Sequence, residues 1–129
     1  MPMNYKYNSK SNIVDCFPEG EISIPEITNY YMDISNNDEI SNDFVEVVHL
    51  DNVTDFLFSS RSFSVVAMSF KGLLEKKRVK AIVCIGKADL HYGIGRMMQT
   101  IFELEFPEFI THVVRSEKEA QEILDNIRG

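Results

Sequence analysis

From Val79 to Ile85 the chain is apolar at every position except Lys80, and Gly86 closes the run. A segment this short and this rich in β-branched residues reads as a strand. It lacks the polar alternation of a half-solvated strand, so both of its faces must be covered. Strands of that kind belong to parallel sheets flanked by helices.

The segments on either side obey the same logic. Residues 44–50 are short, β-branched and bounded by Asp43 and Asp51, and residues 110–114 repeat the pattern. Both are expected to be parallel strands. Between them lie stretches of helical period. Ile27, Tyr30, Tyr31 and Ile34 form one stripe, behind a Ser23/Glu26 capping-box pattern with Pro25 in the first turn. Phe63, Val66, Ala67, Phe70 and Leu74 form a second, in a helix expected to start near Ser59 or Ser60 after a loop through Thr54 and Asp55. Asp89 is placed to cap a third helix carrying Ile94, Met97, Met98, Ile101 and Phe102, which Pro107 ends. Ser116 and Glu119 open a fourth, with Ala120, Ile123, Leu124 and Ile127 on its apolar side.

Ahead of all these, Tyr5, Tyr7, Val14 and Cys16 alternate about a turn-rich Ser9–Asn12, an antiparallel hairpin that runs to about Ile22 past a bend at Pro18 and Gly20. The order is β-β-α-β-α-β-α-β-α. It implies an α/β domain with a mixed sheet, mostly parallel with an antiparallel N-terminal hairpin, and four flanking helices. Val83, Cys84, Ile82, Phe70, Val66, Ile101 and Leu124 are the expected core.

A chain of 129 residues suits a single domain over 1–129. Its net charge of −7 excludes nucleic acid as an expected partner, because phosphate neutralisation needs a basic face. Anionic lipid surfaces are disfavoured for the same reason. No window of about 20 apolar residues is present, and Met1–Ser11 lacks the apolar centre of a signal peptide. Cys16 and Cys84 stand far apart inside strand patterns, as two structural thiols of a cytoplasmic chain rather than a disulfide or a metal site.

Three local motifs sharpen this layout. They are Tyr92-Gly93-Ile94-Gly95-Arg96-Met97 at the third helix, Val114-Arg115-Ser116-Glu117-Lys118-Glu119-Ala120 leading to the last one, and Val48-His49-Leu50-Asp51 at a strand end. Taken in order, they resemble the STAS/SEC14-like superfamily, the fold of the anti-sigma-factor antagonists, and its branch of small bacterial proteins. The resemblance runs from about Ile13 to Ile127. It implies a STAS-like fold and a regulatory, non-enzymatic module that docks a protein partner. Its SEC14-like side implies the alternative, a binder of a small apolar or lipid-like ligand.

In the antagonists an Asp-Ser-Ser-Gly motif begins the second helix, and one serine is phosphorylated. Here Phe58-Ser59-Ser60-Arg61 keeps both serines and lacks the aspartate and the glycine. The expectation is therefore that one serine caps the helix and that neither is regulated. The Trp-Leu pair usual in the last helix is replaced by Ile123-Leu124.

Sites in open α/β sheets form beyond the carboxyl ends of the strands. That rim collects Asp51, Thr54, Ser59, Ser60, Gly86, His91, Tyr92 and Arg96 as candidates. Met97, Met98, Ile101 and Phe102 could line an apolar pocket, or simply fill the core. Gly93 and Gly95 lie within a helix pattern and are best explained by close helix–sheet packing. No phosphate loop, metal-ligand spacing or nucleophile–base pattern stands out, so no catalytic residue, metal or cofactor is expected. The hairpin's outer strand leaves an open edge, and a homodimer through it is one assembly to expect.

Overall fold

The computed structural model describes residues 3–57 and 62–128, with the side chains of residues 63 and 128 outside the description. Among the described residues, seven strands and four α-helices follow in chain order: β1 (Met3–Asn8), β2 (Ile13–Pro18), β3 (Gly20–Ser23), α1 (Ile24–Asn36), β4 (Phe44–His49), β5 (Val53–Leu57), α2 (Phe63–Lys76), β6 (Val79–Ile85), α3 (Asp89–Glu105), β7 (Thr111–Val114) and α4 (Glu117–Arg128).

The main sheet has the order β1-β2-β4-β6-β7, antiparallel between β1 and β2 and parallel elsewhere. This is the mixed sheet the sequence predicts. Two packed layers of side chains cover it. On one face Cys16, Phe44, Ile82 and Cys84 meet Ile27, Tyr30, Tyr31 and Ile34 of α1, Val66 and Phe70 of α2, and Phe102 of α3. On the other, Ile13, Val45, Val47, Ala81 and Val83 meet Ala120 and Leu124 of α4. The continuous apolar run of β6 is explained by this double cover.

The structure corrects several expectations. Val53–Leu57 is a strand, not a loop, and pairs in parallel with β3 as a second, two-stranded sheet. Gly20, at φ +68°, lets the chain leave β2 for that small sheet. Ser23 stands at the N-cap of α1, but its hydroxyl makes no capping bond. Glu26 Oε2 is instead buried, with no hydrogen-bond partner among the described residues. Helix α2 begins at Phe63, with Ser62 at its N-cap, later than Ser59 or Ser60. Those two serines, and the expectation that one of them caps the helix, lie outside the described residues. The predicted inward side chain of Phe63 does too. Ala88, not Asp89, is the N-cap of α3. At α4 the serine half of the box forms, with the Glu119 amide donating to Ser116 Oγ at 3.1 Å and the Ser116 hydroxyl donating to Glu119 Oε1 at 3.4 Å.

The expected core residues are buried except Ile101, which is half-exposed. The reason lies in the rotation of α3. Gly95 faces the sheet so closely that an added Cβ would sit 2.7 Å from Val113 Cγ1. With that position inward, Ile94, Met98 and Phe102 follow at i+4 spacing against the core, and Met97 and Ile101 turn toward the flank. Gly93, by contrast, faces open space, so close packing explains only the second of the two glycines. Ile110 precedes β7 and is exposed. No helix among the described residues is long and apolar enough to cross a membrane.

Candidate functional site

The rim beyond β4 and β6 assembles part of the predicted site. Asp51 lies in a single 3-10 turn, Leu50–Asn52, and its Oδ1 accepts the Lys87 amide at 2.9 Å. Gly86 lies so close to the first turn of α3 that a Cβ there would be 2.5 Å from the His91 carbonyl carbon. His91 Nε2 donates to the Val53 carbonyl at 2.8 Å, which fixes that nitrogen as the protonated one. Its Nδ1 is buried 3.9 Å from Asp51 Oδ1, without a hydrogen bond among the described residues. Arg115 donates to Asp89 Oδ1 at 2.8 Å and stacks over the Tyr92 ring at 4.1 Å.

Asp51, Gly86, His91 and Tyr92 thus come together, joined by Asp89 and Arg115, and their groups largely satisfy one another. They tie the β6–α3 loop to its neighbours. Thr54 and Arg96 are exposed and take no part in this network among the described residues.

A second cluster escaped the sequence reading. Glu46 is 1 % exposed at the centre of β4. Tyr30 donates to its Oε2 at 2.5 Å and Tyr31 to its Oε1 at 3.3 Å, both from α1. Burial pushes the carboxyl up to about 7, and the two tyrosine hydrogen bonds hold it from rising further. The cluster borders a cavity of about 50 Å³ between the sheet, α1 and α3, lined among others by Cys16, Ile22, Ile27, Ile82, Met98 and Phe102. Of the four predicted pocket residues, Met98 and Phe102 line it. Met97 and Ile101 do not, because of the rotation of α3 described above.

Both cysteines are free and buried. Burial pushes the Cys84 thiol up to about 12 and the Cys16 thiol higher still, with Glu46 adding to each. Neither is a thiolate nucleophile near neutral pH. One signal for this cluster stood in the sequence: a lone carboxylate on the same strand face as Phe44 and Val48.

On the opposite face His49 bridges two carboxylates, with Nε2 2.9 Å from Asp15 Oδ1 and Nδ1 3.2 Å from Glu117 Oε1. The ring stacks on Phe17 at 4.5 Å. Only the imidazolium can donate to both partners. Burial alone would lower its pKa, but the two carboxylates outweigh burial and raise it. Among the described residues no group of three or more His, Cys, Asp or Glu side chains could hold a metal ion.

A third feature is a groove of about 220 Å³ between α1 and α2, flanked by Met32 and Met68. These two methionines are 56 % and 70 % exposed. Thr28 Oγ1 and Ser69 Oγ are hydrogen-bonded across the two helices at 3.1 Å.

Comparison with known proteins identifies the architecture. No family model matches the chain and no curated protein matches its sequence. Among solved structures, an uncharacterised protein of the DUF3478 family with a SpoIIAA-like fold, from Shewanella loihica PV-4, superposes with a TM-score of 0.57 at 11 % identity, over 95 % of this chain and 91 % of that one. The anti-sigma factor antagonist SpoIIAA in its unphosphorylated form superposes with a TM-score of 0.52 at 9 % identity, over 98 % of both chains. The fold is therefore SpoIIAA-like, the STAS-like architecture that the sequence motifs imply.

Proposed function

We propose that this chain is a single STAS-like domain that works without catalysis, by docking a protein partner on the face formed by α1 and α2. The observation that carries this reading is the pair Met32 and Met68, exposed on either side of a groove. Large apolar side chains gathered at a groove are the unusual feature of a protein surface, and flexible methionines suit a surface that must accept a partner. The rim offers less to a ligand, since its polar groups are largely engaged with one another. The partner we infer presents an apolar side chain to the groove and is basic overall, complementing the net charge of −7. Two buried free thiols fit a reducing compartment such as the cytoplasm. A lipid-like ligand fits poorly, because a cavity of about 50 Å³ has room for only some three to five waters.

The test is site-specific photo-crosslinking in the native host. A photoreactive residue placed at Met68 should give one discrete adduct, and adding Met32→Glu should abolish it. A label at Glu122, exposed on α4, serves as the control. The same adduct from both labels, or none from Met68, would remove the docking face.

A further inference from the structure

Glu46 is a costly residue for the centre of a β-strand. A buried carboxylate needs more hydrogen-bond donors than two tyrosines supply, and an apolar side chain there would pack without that penalty. Its two oxygens accept from Tyr30 and Tyr31, leaving lone pairs unused on a carboxylate that can accept about four bonds. The adjoining cavity is otherwise lined by apolar side chains and the two thiols, with Val48, Leu50 and Phe56 among them.

An acidic cleft adjoins this cavity. Met3 and Tyr30 border both the cavity and a wider cleft of about 700 Å³ between β1 and α1. That cleft carries Glu26 and Asp33 with the amides of Asn4 and Asn29. Glu26 Oε2 is buried there with no hydrogen-bond partner among the described residues. A cleft of this sign gathers cations and repels anions.

We propose that the cavity is a binding site for a short-chain primary amine, its ammonium group on Glu46 and its alkyl body among the apolar side chains. The ammonium supplies the donors the carboxylate lacks and cancels its charge. Some 50 Å³, at roughly 10–15 Å³ per water, accommodates about four non-hydrogen atoms, the size of propylamine. This site is separate from the docking face and does not depend on it.

Binding of the cation requires the ionised carboxylate. Glu46 protonates at about 7 in the empty chain, so below that pH the amine must displace a proton to solvent. The other titratable groups around it are Tyr30 and Tyr31 on α1, Cys16 on β2 and Cys84 on β6. All have raised pKa values and stay neutral between pH 6 and 8. Helix α3 contributes the uncharged Met98 and Phe102. Glu46 is mostly protonated at pH 6 and mostly ionised at pH 8, about a tenfold change in competent sites. An alkylammonium keeps its proton throughout, as lysine does.

The experiment is an NMR titration of the full chain with propylamine, 1-propanol and propionate, observing the Glu46 side-chain carboxyl carbon and the Met98 methyl group. Propylamine should bind at least about tenfold more tightly than 1-propanol at pH 8 and tighten about tenfold from pH 6 to pH 8. Propionate should not bind. In Glu46→Gln both the preference and the pH dependence should vanish. Equal affinity for amine and alcohol at pH 8, or propylamine binding indifferent to Glu46→Gln, would overturn the proposal. Should that variant fail to fold, the unaltered chain still decides: bound propylamine must lower the titration midpoint of the Glu46 carboxyl, and an unmoved midpoint refutes the site.

Discussion

Replacing Glu46 by glutamine should abolish one specific loss of stability with rising pH. The carboxyl protonates at about 7 when folded and at the ordinary 4.5 when exposed. Between those values the folded chain holds a proton that the unfolded chain has released, so stability falls as pH rises. The contribution is fully present below 4.5 and is lost as pH passes through 7. A tenfold difference in proton affinity is worth about 1.4 kcal/mol, so the whole effect is on the order of 3 kcal/mol, most of which falls between pH 5 and pH 8. Urea unfolding at pH 5, 6, 7 and 8 measures it. With a slope of about 1–3 kcal/mol per molar urea, the midpoint of Glu46→Gln should gain roughly 1–3 M on the parent across that range. The comparison is differential, so a constant offset from the new amide contacting Tyr30 and Tyr31 cancels. Parallel curves for the two proteins would refute the raised affinity of Glu46 for its proton and mean that the carboxyl is solvated or already paired.

Three further outcomes follow from the packing. Leu124→Ala, on the sheet-facing side of α4, should cost about 2–5 kcal/mol in the same urea assay, and an unchanged midpoint would mean that α4 does not cover the sheet. Gly95→Ala should destabilise by about 1–3 kcal/mol because its Cβ meets Val113, whereas Gly93→Ala, facing open space, should stabilise by up to about 1 kcal/mol; the same sign for both would refute the rotation of α3. His49 should titrate above 6.5 by NMR, with its stabilisation present below 6.5 and lost as pH rises through the folded value. A midpoint at or below 6.5 would show that the Asp15 and Glu117 contacts do not form in solution.

The layered fold was legible because periodicity reports burial, and burial on both faces of β6 leaves only one common architecture. β5 was not legible. Thr54 and Asp55 are polar and exposed, and a strand in a two-stranded sheet carries little apolar alternation. The capping boxes show how far a local motif carries. Ser116 and Glu119 pair on an exposed helix start, while at α1 Ser23 makes no capping bond and the Glu26 side chain lies in the cleft beside β1. The rim was found by topology, through Asp51, Gly86, His91 and Tyr92. The Glu46 cluster was not, because its tyrosines lie 15 and 16 residues away in sequence and only the packing of α1 brings them to the strand. His49 was read as a strand residue. Its carboxylate partners, 34 and 68 residues distant, likewise meet only in the folded sheet.

Native mass spectrometry of the chain purified from its own host, beside the Met32→Glu/Met68→Glu variant, tests the docking claim most directly. Both side chains are exposed, so the substitutions should leave the fold intact. The parent should carry a polypeptide partner in addition to its own 14.9 kDa, and the variant should carry none. The same heteromeric mass from both proteins, or a parent found only as the bare 14.9 kDa chain in every growth condition, would contradict it.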